Sequence, residues 1–220
     1  MPTASLWNSR RPVSGNGRHM RSRTTTELFQ YWNATRGDRD LPRRDEIQPA
    51  DIRTLLPELF ILQRQADGTI RFRLAGTHVC ALFGQELRDQ LFSALWVAGE
   101  AGLAARIADH VMARRTPMLL SALGTTGDGD RLDIELLLAP LASPDGKGDR
   151  VLGALSPLSR PPWLHMTPLA HLVAQDLRQL EVGKPGPAPL FRPTIGGADN
   201  RGPAIDAQHP RGRLEGAGRD

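Results

Sequence analysis

Five side chains carry most of the chemistry open to this sequence: His110, His78, Cys80, Phe92 and Trp96. A neutral imidazole can ligate haem iron or act as a base. His110 recurs at helical spacing with Leu103, Ile107, Val111 and Arg114, which places it on the apolar face of a helix expected over residues 100–115. A histidine satisfied by a backbone carbonyl fits the same position. His78 precedes Cys80 by two residues, whereas one helical face needs a spacing of three or four, so the two do not form a metal pair. Phe92 and Trp96 are at helical spacing and read as core, or as the wall of a pocket. The acidic set Asp128, Asp130, Asp133 and Glu135 fails as a calcium loop, because Leu132 stands at the third ligand position; it reads as a solvated turn and strand face. Phosphate loops, nucleophile elbows, zinc-protease helices and paired cysteines are all missing. We expect no catalytic residue and no metal.

Composition narrows the partners. The chain has 28 basic and 24 acidic residues, but residues 1–23 hold five Arg and no acid, so the basic excess sits in an N-terminal arm and not in a groove of the folded body. Nucleic acid is therefore not the expected partner. With Cys80 as the only cysteine there is no intramolecular disulfide, and a reducing cytoplasm is the expected compartment. Ser9-Arg10-Arg11-Pro12-Val13 is not followed by the apolar run of an export signal, and no apolar stretch reaches the roughly 18 residues of a membrane span. Residues 1–26 are expected to be a disordered Arg-rich arm, with Met20 as an alternative start.

The elements that must position these side chains follow from periodicity. Thr26 is placed to cap a helix carrying Leu28, Phe29, Tyr31 and Trp32, and Pro49 to open a short helix through Leu55 and Leu56 that Pro57 stops. Leu59 to Leu62, the Asp67-Gly68 turn, and Ile70, Phe72 and Leu74 alternating with Arg71 and Arg73 make a hairpin. Short helical turns follow through Val79, Leu82, Phe83, Leu87, Phe92 and Trp96, then the long helix, then three strands at residues 117–125, 131–138 and 151–155. The resulting fold class is α+β: a five-stranded antiparallel sheet with helices on one face, over residues 27–165. Leu169, Leu172, Val173, Leu177 and Leu180 predict an amphipathic helix over residues 166–180. Residues 181–220, with eight Gly and six Pro, are expected to be a disordered tail whose apolar island is Leu190-Phe191 with Ile195.

Several stretches, in order, resemble an alphaproteobacterial family of single PAS-domain proteins. They are Tyr31-Trp32 with Leu41-Pro42-Arg43, Ile47 to Ile52 through Leu55-Leu56-Pro57, Arg73 to Thr77, Phe83 to Leu87, and Leu95-Trp96. The resemblance implies a PAS-like, non-enzymatic regulator. It departs at Asp89, where that family usually carries Gly; Gly implies a left-handed backbone, which Asp tolerates better than most residues. Some PAS relatives ligate haem through a histidine on the long helix, and flavin photoreceptors use a cysteine. The surroundings of Cys80 do not match the photoreceptor pattern, and neither haem nor flavin is expected here.

The expected function is a sensory or regulatory module that acts through contact with another signalling protein and takes, at most, a small-molecule ligand. Homodimerisation is expected through the apolar stripes of residues 28–36 or 169–180. Two other classes compete: an enzyme on the same scaffold using His110 or His78 as a base, and a nucleic-acid-associated protein acting through the arm.

Overall fold

The computed structural model describes residues 20–143 and 145–182. The expectations for residues 1–19 and 183–220, including the Leu190-Phe191 island, lie outside the described residues. The strands are β1 (Leu59–Arg64), β2 (Ile70–Ala75), β3 (Met118–Thr126), β4 (Arg131–Leu141), β5 (Arg150–Pro157) and β6 (Leu169–Gln179). The helices are α1 (Arg23–Arg36), α2 (Thr77–Phe83) and α3 (Ala101–Arg114), with 3-10 turns at Arg44–Glu46, Leu56–Glu58 and Phe92–Leu95. All the strand pairs are antiparallel, in the order β2-β1-β5-β4-β3-β6.

The sheet has six strands instead of five, and the sixth is the segment expected to be a C-terminal helix. β6 pairs with β3 from Met118↔Gln179 to Thr126↔Leu169, with register shifts at Ser121/Ala122 and Thr125/Thr126. These shifts leave Ala170 and Gln175 as extra residues on β6, so Leu169, Leu172, Ala174 and Leu177, all packed on the inner core, stand three, two and three residues apart. Two bulges thus give a strand the apolar spacing of a helix. The open edge of β3 decided the outcome, because it offered β6 a full ladder of hydrogen bonds.

A second correction concerns the faces. α2, α3 and the turn at Phe92–Leu95 cover the inner face, with Phe60, Phe72, Val79, Leu82, Val111 and Leu136 among its core. α1 covers the other face, where Leu28, Tyr31 and Trp32 pack with Ile52, Leu55, Leu119, Leu137 and Leu152. The apolar stripe of residues 28–36 is thereby spent on the chain's own sheet, as is that of residues 169–180.

α1 begins earlier than Thr26. Ser22 is its cap, accepting from Thr24 N at 3.1 Å, while the Thr26 hydroxyl donates back to Ser22 O at 2.8 Å. The helix is held to the sheet by polar bonds as well as apolar ones. Trp32 Nε1 donates to Pro140 O at 2.7 Å, and Gln48 N donates to Tyr31 Oη at 2.8 Å. The segment from Pro49 forms consecutive turns instead of the expected helix, with Asp51 N bonded to Gln48 O and Leu55 N to Ile52 O. Pro57 lies inside the 3-10 turn that follows and does not end a helix.

Glu135 was expected on a solvated face and is fully buried. Its carboxylate accepts from Arg21 N at 2.9 Å, Ser22 N at 3.0 Å and the Thr25 hydroxyl at 2.5 Å. It sits at the start of α1, where exposed N–H groups and the helix dipole favour an anion. Glu135→Ala removes the acceptor of two partly buried backbone N–H groups and of the buried Thr25 hydroxyl, and is expected to cost about 1–3 kcal/mol by urea denaturation. Glu135→Gln keeps an acceptor oxygen and should lose less. Equal losses in the two variants would show that the acceptor is not what matters.

Candidate functional site

The space between the sheet and its inner helices is occupied by aromatic rings. Phe60 on β1, Phe72 on β2, and Phe92 and Trp96 around the 3-10 turn form a connected set. Ring centroids lie 5.6 Å apart for Phe60–Phe72, 5.9 Å for Phe72–Phe92, 6.3 Å for Phe60–Phe92 and 5.8 Å for Phe92–Trp96. Each such pair is worth about 0.5–1.5 kcal/mol beyond its buried area. Gly153 on β5, opposite Phe60, makes room for the set: a Cβ there would stand 2.1 Å from Phe60 Cζ. The Phe60 ring lies directly on the β5 backbone. Trp96 Nε1 is buried without a hydrogen-bond partner.

Of the five candidate residues, Phe92 and Trp96 are in this chamber and the other three are not. His110 is exposed. The buried stripe of α3 is Ala104, Ile107, Ala108, Val111 and Met112, which turns His110 and Arg114 to the solvent side. Two alanines, small and easily overlooked, set the centre of that stripe. His78 is exposed near the start of α2, and its ring lies 5.5 Å from that of His165, in the segment between β5 and β6. Cys80 is half-buried against the rim of the inner core, its Sγ 3.7 Å from Glu86 Oε1 and 3.9 Å from Ala75 O. Burial pushes its thiol up, the opposite of an activated cysteine. Neither His78 nor His110 bonds to a carboxylate among the described residues, and no group of three metal-ligating side chains occurs among them.

Asp89 adopts the left-handed conformation expected at that position, with φ 64°. The geometry has a purpose. Asp89 N donates to Phe72 O at 2.8 Å, Phe72 N donates to Gln90 O at 3.0 Å, and Arg71 Nη1 donates to Asp89 O at 2.8 Å. The turn closes the outer edge of β2 beside the Phe72 ring.

Two predictions follow from these placements. Asp89→Gly should be neutral within about 0.5 kcal/mol, while Asp89→Val, whose branched Cβ resists positive φ, should destabilise by about 1–2 kcal/mol. Identical urea midpoints for the two would remove the backbone constraint. His165 concerns pH: burial, then the neighbouring His78 and Arg160, hold its pKa below the ordinary histidine value against a smaller opposing pull from Glu58. The unfolded chain therefore binds this proton more readily than the folded one. Stability is full above the ordinary value near 6.5 and declines as pH falls from there toward the lower folded value. His165→Asn, which tolerates the φ of 65° at this position, should flatten the decline in urea midpoint between about pH 7.5 and 5.5. An unchanged slope would place the proton elsewhere.

A family model for the PAS domain matches residues 20–156, which is more than half of the chain. No curated protein matches. Among solved structures, the PAS domain of a Colwellia psychrerythraea protein is 14% identical, covering 50% of this chain and 97% of that one at a TM-score of 0.37. A Rhodobacter sphaeroides LOV protein is 16% identical, covering 51% and 68% at 0.37. A light-oxygen-voltage domain studied with a flavin analogue is 17% identical, covering 50% and 84% at 0.39. Likenesses this distant add nothing to the fold already described. With the family model spanning α1 through β5 and the antiparallel sheet in place behind it, the chain belongs to the PAS domain family.

Proposed function

We propose that this PAS domain is a non-catalytic signalling module that works through contact with another protein. The filled inner chamber carries the reading: the rings of Phe60, Phe72, Phe92 and Trp96 already supply the packing that a bound cofactor would otherwise provide. What is left for recognition is the surface. Leu74 is 46% exposed and Leu56 is 38% exposed, with Arg53 and Arg73 also exposed near them in sequence. A bulge between Ile61 and Leu62 is the reason for the first of these. It makes Arg73 the extra residue and pairs Leu74 with Ile61 on the outer face, away from Ile70 and Phe72.

The turn that carries Leu56 has a route into the core. A Cβ on Gly76 would stand 2.2 Å from Leu56 O and 2.4 Å from Pro57 O, so the backbone at the start of α2 rests on the turn that carries Leu56. Val79 and Leu82 of α2 are buried in the inner core. A partner pressing on Leu56 shifts α2 only if it binds the two arrangements with different affinity.

The purified protein should show a 280 nm band and no Soret or flavin band. A partner captured in cells by crosslinking to the wild type should be lost from Leu56→Ser/Leu74→Asp, whose melting temperature should stay unchanged because both side chains are exposed. A visible band stoichiometric with protein, or capture that survives the double substitution, would overturn the reading.

A further inference from the structure

The segment between β5 and β6, residues 158–168, touches α2 near both of its ends. Near the start of α2 the rings of His78 and His165 lie 5.5 Å apart, centre to centre, and are tilted by 38°. At the other end a Cβ on Gly84, the left-handed cap of α2, would stand 2.6 Å from Pro168 Cγ, so the helix end rests on that proline. The segment is itself held in shape. Leu164 N donates to Pro161 O at 3.0 Å, Met166 N and Thr167 N donate to Trp163 O at 2.9 and 3.0 Å, and Trp163 and Leu164 pack against the inner core. His165 has a φ of 65°, in the left-handed region, where histidine is enriched among non-glycine residues. The two imidazoles are thus brought together by two anchored elements distant in sequence.

The simpler account is a packing contact between two surface rings. Both residues are exposed, so the contact buries little apolar area, and the rings repel each other when both carry a proton. Burial, then His78 and Arg160, hold His165 below the ordinary histidine value, which leaves it neutral at pH 7 with a lone pair on one ring nitrogen. Arg160 and Glu58, the other charged groups that act on His165, are of opposite sign. A ligand that accepts two imidazole lone pairs would turn this weak contact into a bond between α2 and the β5–β6 segment. The spacing suits a metal ion. Zinc takes imidazole nitrogen at about 2.0–2.1 Å, which puts it about 3.2 Å from each ring centre and the two centres about 5 Å apart at the tetrahedral angle. Because both side chains are exposed, either ring can turn a nitrogen toward the ion.

We propose that His78 and His165 together bind one divalent transition metal ion of the imidazole-preferring class, with water completing its coordination. Imidazole suits zinc, copper and nickel, whereas magnesium and calcium require oxygen ligands. With two protein ligands the site is open, unlike the closed four-ligand sites that hold structural zinc, so the ion exchanges with solvent and its occupancy follows its concentration. When bound, it ties the start of α2 to the β5–β6 segment. The pair lies on the surface, outside the ring-filled chamber, and uses neither Leu56 nor Leu74, so it stands whether or not the reading above does.

The test uses the full-length protein without an affinity tag, stripped with EDTA and titrated calorimetrically with zinc chloride at about pH 7.5. Saturable binding is expected, with the affinity falling about tenfold or more in His78→Ala and in His165→Asn, at least the loss that follows from removing an outer-shell partner. Zinc at about a hundred times its dissociation constant should raise the melting temperature of the wild type by about 5 °C or more, and this rise should vanish in either variant. Without metal both variants should melt within about 2 °C of the wild type, since the substituted residues are exposed, which separates lost binding from lost folding. The affinity should also drop between about pH 7.5 and 5.5 as the imidazoles take up protons. Absence of saturable zinc binding overturns the proposal, as does magnesium binding of equal strength. So does zinc binding that survives either substitution, which would assign the ion to other histidines, His110 and His171 among them.

Discussion

Strand β4 has no face to give to water. From Ile134 to Leu141 every residue is buried, those on one side against α3 and the inner core, and those on the other under α1. A strand in that situation demands a cover on both sides, and one of its members is a carboxylate. A buried, unpaired carboxylate would cost several kcal/mol. Here the cost is met by placing the start of α1 over it, so that Arg21 N, Ser22 N and the Thr25 hydroxyl all point at Glu135. The chain leading into the helix needs an acceptor for the N–H groups of Arg21 and Ser22, and the carboxylate needs donors. This mutual requirement fixes where α1 begins and hence which of its residues face the sheet. Leu28, Tyr31 and Trp32 follow from that start, and the segment at residues 41–47 is stitched alongside by Arg44 N to Ala142 O and Ala142 N to Pro42 O.

Covering both faces constrains the rest. On the inner side the depth of the chamber is set by how closely rings can approach the sheet, and Gly153 brings Phe60 down onto β5 itself. Phe72 and Phe92 then stack edge to face above it, and Trp96 closes the end toward β6 through the Trp96↔Leu172 bridge. The unpaired Trp96 indole N–H is the one polar feature of this aromatic set. Interiors are packed too densely for such an arrangement to change continuously, so any signal passing through it has to move an element as a unit. The contact between Gly76 and the turn at Leu56–Glu58 makes α2 the unit with a direct mechanical link to the surface.

Much of this was legible in the residues, and the failures have identifiable causes. The β1–β2 hairpin, α3 and the three-strand run from β3 to β5 follow from period and turn chemistry, and the positive φ at Asp89 follows from the resemblance. Leu74 was misread because alternation assumes an unbroken register, and the extra residue at Arg73 reverses the side of everything after it. β6 failed for the same reason twice over, since its two bulges imitate a helical period. His110 was misplaced because Ala104 and Ala108 count for little on a hydropathy scale while defining the buried stripe. Glu135 carried a signal that was available: the continuous apolar run from Leu136 to Ala139 is what a strand covered on both faces looks like, and a charge inside such a run needs partners.

The sheet edges limit how the proposed partner would be recognised. An exposed edge strand is a template for pairing with any extended chain. β3 is shielded by β6. β2 has its outer edge closed by residues 89–91 through the bonds around Phe72. β6 in turn has its middle held from outside, with Val97 N donating to Leu172 O at 2.9 Å and Ala174 N donating to Glu100 Oε2 at 2.7 Å. Strand addition, the cheapest way for a sheet protein to take a partner, is obstructed along these stretches. A partner must then recognise projecting groups, and the bulge that turns Leu74 outward creates one next to a closed edge. The same local irregularity of β1 and β2 thus keeps a leucine out of the core and, under the proposed function, is what a partner would meet at a point where backbone pairing cannot compete for it.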